Sequence, residues 1–302
     1  MRRWYKILML VTIVLVAGSC KRRPLVEMDN NVLLNISIGT DIVNYELKSP
    51  PQMMRAIFFD SQTGETVSHS FLRSQGGFVN VTPGREYDIL VYNFDTGSTI
   101  IGGDNNLNYI LACTDLVPEN IKSEFVEHTG NSEDERFVYE PDHLFVGKLE
   151  DVYVPVQGYG MPAFQIDIHA ETLVGTWVVE IDKVRGAEHV GTVSSVISGL
   201  ADHTLIGLRE PSCDEATVYL KEASLTKDGH FYAKFNTFGR NVLADRQQIL
   251  SLVLTDTDGE SFIFSMDITE RFKDNPLQYI LIKTDDIEIG KTENLGGGGY
   301  AL

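Results

Sequence analysis

The chain has 302 residues, 43% hydrophobic and 23% charged, with 25 Lys and Arg against 43 Asp and Glu and a net charge of −18. That balance excludes wholesale disorder, and the acidity excludes nucleic acid as a partner, because phosphate recognition needs clustered Lys and Arg. Three cysteines are too few for a disulfide scaffold or a thiolate-built zinc site, and beyond the N-terminus no stretch reaches the roughly 18 apolar residues of a membrane span.

The first segment reads as an address. Arg2, Arg3 and Lys6 precede an apolar run over residues 7–17, and Ala17-Gly18-Ser19-Cys20 follows. Residues 1–19 are therefore predicted to be a secretory signal peptide. Small residues before a cysteine resemble the lipobox of bacterial lipoproteins, in which the cysteine becomes the acylated first residue. Cys20 is thus expected to carry palmitate-type chains and to hold the protein to a lipid bilayer, at about 0.8 kcal/mol per buried CH₂. Residues 1–19 contain three of the basic residues and none of the acidic ones, so the exported part carries a net −21. Lys21, Arg22 and Arg23 form a local basic exception beside the lipid. An outer-membrane anchor facing either side fits this arrangement.

From residue 32 onward, period-2 patterns dominate. Residues 32–38 (VLLNISI), 53–60 (MMRAIFFD), 66–72, 78–81 and 86–94 (EYDILVYNF) read as strands, punctuated by turns at 60–64 and at Thr82-Pro83-Gly84. Residues 118–127 predict one short helix, with Glu119 in its first turn. Strands resume at 143–149 and 152–156. Gln157-Gly158-Tyr159-Gly160-Met161-Pro162 reads as an interdomain linker.

A second strand set is predicted to begin at residues 164–170 (FQIDIHA). It continues through 176–184, 203–208, 216–220, 230–235, 250–256, 261–267, 279–283 and 287–289. The turn at 257–260 marks a hairpin, and Asp267-Ile268-Thr269-Glu270 reads as a capping box opening one or two helical turns. Short strands with Gly, Pro, Asn and Asp turns predict an all-β fold of two sandwiches with short helical insertions. The predicted division is residues 20–157 and 158–295, followed by a flexible Gly-rich tail at 296–302.

Little in the chain points to chemistry. Gly158-x-Gly160-x-x-Ala163 has the spacing of a dinucleotide fingerprint. However, Pro162 and an alternating strand follow where that motif needs a helix N-terminus. Asp256, Asp258 and Glu260 surround a glycine at the wrong position for a calcium loop, so a hairpin tip is the better reading. Glu133-Asp134-Glu135 reads as a solvated charge run. The seven histidines form no zinc-spaced cluster, and His169 with Glu171 is a single weak metal pair. Cys113 and Cys213 read as two separate buried or half-buried thiols. No cofactor, metal or catalytic residue is predicted, and the chain is read as non-enzymatic.

Several segments, taken in order, carry a family resemblance. They are Phe58-Phe59-Asp60 leading to Gly64; Thr82-Pro83-Gly84-Arg85-Glu86-Tyr87-Asp88 running into Val91-Tyr92-Asn93-Phe94-Asp95-Thr96; Phe235-Asn236-Thr237-Phe238-Gly239; the hairpin at Asp258-Gly259; and Asp267-Ile268-Thr269-Glu270. The sequence resembles the fimbrillin-like lipoproteins of Bacteroidota-type bacteria, particularly fimbrial anchor and accessory subunits. That resemblance implies two tandem transthyretin-like β-sandwich domains, fimbrial subunits as partners, and a part in fimbria assembly and adhesion through strand edge pairing. Family shaft subunits are cleaved after an Arg near the N-terminus. Here no Arg occurs between Arg23 and Arg55, and Arg55 lies inside an apolar strand, which favours an uncleaved subunit. Residues 32–38 are then expected to complete their own sandwich. The alternative is a surface module for a glycan or host ligand, for which Trp177, Tyr159 and Tyr300 are the aromatic candidates.

Overall fold

The computed structural model describes residues 31–126, 135–158, 160–241, 246–284 and 287–289. Cys20 and the 296–302 tail lie outside the described residues. The chain runs through β1 (Asn31–Ile38), β2 (Met53–Asp60), β3 (Thr66–Arg73), β4 (Gly76–Asn80), β5 (Arg85–Asn93), β6 (Thr99–Gly102) and β7 (Leu111–Thr114). A helical turn at Glu119–Lys122 precedes β8 (Arg136–Tyr139), β9 (Phe145–Val154) and β10 (Phe164–Thr172). Then come β11 (Gly175–Ile181), β12 (Val190–Ala201), β13 (His203–Leu205), β14 (Glu210–Pro211), β15 (Glu215–Tyr219), β16 (Glu222–Leu225) and β17 (Phe231–Thr237). The hairpin β18 (Ile249–Asp256) and β19 (Ser261–Asp267) is followed by a helical turn at Thr269–Phe272 and by β20 (Tyr279–Ile282).

The fold is all-β. Seven strands form a sheet that closes on itself in the order β1-β10-β9-β5-β2-β3-β4. A second unit stacks β16-β17-β11-β20 against β19-β18-β12-β15-β8. Four short strands, β14-β13-β7-β6, make a small sheet joining segments from both halves of the chain. Thus the first strand set forms a closed sheet rather than an open sandwich.

The alternation seen in the sequence sets the strand faces. In β1, Val32, Leu34 and Ile36 point inward, and in β10 Ile166, Ile168 and Ala170 do the same. The near-continuous apolar runs of β2 and β5 have a different cause, because both faces of these strands are covered. Ala56, Phe58, Ile89 and Val91 face the interior of the closed sheet. Ile57, Phe59, Leu90 and Tyr92 face a separate core completed by Leu107, Ile110, Ala201, Ile206 and Phe238. Each fully buried side chain of this size contributes about 1.5–3 kcal/mol, so the layer between the units is a substantial part of the fold.

Several sequence expectations need correction. The segment around Gln157–Pro162 links two strands of the same sheet rather than two domains, because β10 pairs in parallel with β1 from Val32↔Phe164 to Ile38↔Ala170. The chain passes to the second unit only after Thr172. The two strands expected at 143–149 and 152–156 are one strand, β9. It is kinked where Asp151 takes a φ of 53° and the register with β5 shifts. β12, the centre of its sheet, was not expected, because its Ser- and Gly-rich sequence reads as loop. Ser195 and Ser198 are nonetheless fully buried there. The helix near residue 118 spans only Glu119–Lys122. At Thr269–Phe272 the cap sits one residue off capping-box spacing, with Asp267 Oδ1 accepting from the Thr269 N–H at 2.9 Å and from its hydroxyl at 2.6 Å.

Candidate functional site

Three places could serve a non-catalytic role: the seat of β1, the junction between the units, and the strand edges left open. β1 is held on both sides, by seven parallel pairs to β10 and five antiparallel pairs to β4. On its outer face Asn35 donates to Asp167 at 2.8 Å, and Ser37 bonds His169 Nδ1 at 2.8 Å. Gly76, with a φ of 101°, brings β4 so close that a Cβ there would overlap the Leu34 carbonyl. The slot in the closed sheet is therefore filled by the chain's own strand. Arg55 lies within β2, flanked by β3 and β5, and pairs with Asp104.

At the junction, the segment between β1 and β2 lies across both units. The Tyr45 ring sits 3.9 Å from the His143 ring. Asn44, itself at a φ of 57°, donates to the carbonyls of Leu277 and Gln278 at 2.9 Å each. His143 bonds Thr172 Oγ1 and Thr176 Oγ1, both at 3.0 Å. Burial holds its pKa down at about 4, so the ring is neutral at physiological pH. Burial pushes the Glu140 carboxyl up, while the N–H groups of Lys221 (2.7 Å) and Asn236 (3.1 Å) donate to it. For Asp142, burial pushes up, but hydrogen bonds from Ser98, Thr99 and Gly97 outweigh it and hold the carboxyl below its ordinary value.

This arrangement ties segments together. Glu140 and Asp142 in it already accept main-chain or hydroxyl donors from a neighbouring segment. An open, polar hollow of about 480 Å³ beside it is lined by Tyr45, Asn93, Asp95, Asp142, His143 and Asn236.

The sequence candidates lie elsewhere. His169 and Glu171 are exposed and 3.8 Å apart. Among the described residues, no group of three or more His, Cys, Asp or Glu is placed to hold a metal. Asp256 Oδ1 accepts the N–H groups of Asp258 and Glu260, closing the hairpin tip. Glu135 is not a solvated charge. It is buried and accepts from Thr217 Oγ1 at 2.7 Å. Cys113 is half-buried, with its thiol pKa raised by burial, whereas Cys213 is exposed rather than buried as expected. Trp177 is buried and stacked on Phe272 at 3.8 Å, so it offers no platform to a sugar. Tyr159 and Tyr300 lie outside the described residues. The junction residues Asn44, Tyr45, Glu140 and Asp142 were not singled out from sequence, since no local motif marks them.

A family model described as a domain of unknown function, DUF5119, matches residues 19–221. A protein of Bacteroides ovatus named "Putative fimbrium anchoring subunit Fim4B" is 26% identical over 295 residues, covering 97% of this chain and 82% of that protein. Among solved structures, one described as a "putative adhesin" from Bacteroides ovatus superposes with a TM-score of 0.67 at 24% identity, covering 91% of this chain and 98% of the other. The fimbrial anchor protein Mfa2 from Porphyromonas gingivalis superposes with a TM-score of 0.51 at 14% identity, covering 84% and 89%. These structural likenesses carry the fold. The family model and the relative in sequence place the chain: it belongs to the DUF5119 family, among the fimbrillin-like proteins of Bacteroidota.

Proposed function

We infer that this chain is a non-enzymatic fimbrial accessory or anchoring subunit, fixed to the outer membrane through an acylated Cys20 once residues 1–19 are removed. Its two units are read as tandem transthyretin-like sandwiches, the first running to Thr172 and closed by its own β1. It binds other fimbrial subunits through strand edges and so contributes to fimbria assembly and adhesion.

The observation that carries this reading is the seated β1. A subunit whose first described strand is locked between two strands of its own sheet is not built to give that strand up, which fits a subunit that stays joined to its lipid attachment. Arg55, half-buried and paired on both sides to β3 and β5, gives a protease no free main chain to engage. The likeness over 97% of the chain to a protein named as an anchoring subunit supports the same role. The glycan or host-ligand reading loses its main aromatic candidate with Trp177 buried.

The test is made in the native cells with the full chain. Cys20→Ser is expected to move the protein from the membrane fraction to the soluble fraction and to make cells shed their fimbriae. Fimbriae retained at the wild-type level by that variant would overturn the anchoring role.

A further inference from the structure

The first sheet closes on itself through two pairs between β9 and β10 and one between β3 and β4, and the other sheets leave six outer strands among the described residues. Four of these, β6, β8, β16 and β20, have four residues, and β14 has two. β19 has seven, paired to β18 from Thr255↔Ser261 to Ile249↔Asp267 without a bulge.

Its ladder shows which main-chain groups face outward. Asp256 N–H donates to Glu260 C=O, and Ile268 N–H donates to Gln248 C=O, both at 2.9 Å. Hydrogen-bonded pairs alternate along an antiparallel ladder, so the even-numbered residues of β19 bond to β18. The odd-numbered ones, Ser261 and Ile263 among them, turn their N–H and C=O to the other side, where no described strand lies.

The side chains fit the same picture. Phe262, Phe264 and Met266 pack on the main core of this unit and Ile263 on the core of the opposite sheet face, yet all four remain half-exposed. Both cores therefore continue up to the open edge. Between its ends the strand lacks the usual protections, since SFIFSM contains no Lys, no Pro and no charge. At the ends the strand is acidic, with Asp258 and Glu260 before it and Asp267 and Glu270 after it, all exposed. Self-pairing about Phe264 would set Asp267 of each copy beside Ser261 and Glu260 of the other, placing like charges together at both ends of two net-acidic bodies.

We propose that the outer side of β19 is a docking edge for an extended strand of a different protein, with alternating apolar residues and Lys or Arg at its ends. This rests on the fimbrial reading above for its setting and adds the edge and the chemistry of the partner strand.

The test uses the full chain in its native cells, with a photo-reactive phenylalanine analogue in place of Ser261 and, as a control edge, in place of Glu222 on β16. Irradiation is expected to give an adduct at 261 only. Mass spectrometry should identify it as a segment of another polypeptide with alternating apolar residues and basic ends. Ile263→Pro removes an outward N–H that β18 does not use, and Ile263→Lys puts a charge on the half-exposed face. Each should cut the adduct about tenfold, the loss expected for one ladder bond with its packing, in protein that still melts cooperatively. No adduct at 261, an adduct to a second copy, or an adduct unchanged by either folded variant would overturn the proposal. Fimbriae that still depend on Cys20 while no adduct forms would refute the edge and leave the anchoring reading standing. Fimbriae retained by Cys20→Ser would refute anchoring whatever the adduct shows.

Discussion

The closed sheet of β1–β5, β9 and β10 and the open sandwich built around β11, β12, β17 and β18 use similar strands to opposite ends. In the first, every strand has two neighbours, and the ring is completed by two pairs between β9 and β10 and one between β3 and β4. In the second, two sheets stack and four outer strands remain. Chain length does not explain the difference, since β1 and β19 are eight and seven residues of comparable apolar character. What separates them is the partner: β1 finds β10 and β4 within its own chain, and β19 finds only β18. Closure makes a strand part of the fold, and its absence makes one available.

Five substitutions or conditions would break or sharpen that contrast. The largest effect is expected from Leu34→Asp, which buries an unpaired carboxylate at a fully buried position of β1 and should cost more than about 4 kcal/mol. Far-UV circular dichroism with urea titration should show the first unit losing its cooperative transition. Gly76→Ala comes next. A Cβ at its positive φ meets the Leu34 main chain, so about 3 kcal/mol is expected, read as a lower denaturation midpoint with an unchanged slope.

Acid should act through the junction. His143 is held at about 4, below its ordinary 6.5, so the unfolded chain takes up the proton first. Stability is then full above about pH 6.5 and falls by at most about 3 kcal/mol as the pH drops towards 4. Glu140 is raised by burial and works in the opposite sense, because acid neutralises the form that folding disfavours. The readout is therefore the difference between wild type and His143→Gln across that range, and a difference that does not change with pH would remove His143 as the cause. Asn44→Ala should cost about 1–2 kcal/mol, by losing two hydrogen bonds to the second unit and leaving alanine in a left-handed conformation. Ile263→Lys, on the open edge, should shift the melt by less than about 1 kcal/mol, which would separate a docking strand from a structural one.

What the sequence disclosed is what is local. Alternation placed β1, β10 and β17, and Thr257-Asp258-Gly259-Glu260 placed the hairpin between β18 and β19. Partnership across the chain was not legible. Nothing in FQIDIHA says that it pairs with a strand 132 positions earlier rather than with its successor, and the linker-like Gly and Pro residues before it pointed the wrong way. β12 escaped because Ser and Gly are poor strand signals, although a central strand can bury them when neighbours satisfy or enclose them. The junction escaped for the same reason as the sheet pairing. Tyr45 and His143 meet only after the fold has formed, and neither carries a motif.

The parallel pairing of β1 with β10 also has a mechanical side. Take a pull at Asn31 directed along the axis of β1. It loads the seven pairs to β10 and the five to β4 together, in shear, instead of peeling them open one at a time. Forced opening is governed by the unfolding rate rather than by equilibrium stability, and a ladder loaded all at once must give way as a unit. A tether placed upstream of such a strand would hold against traction far better than one attached to a terminal hairpin, and β1 is the described strand nearest Cys20, the lipid attachment proposed above.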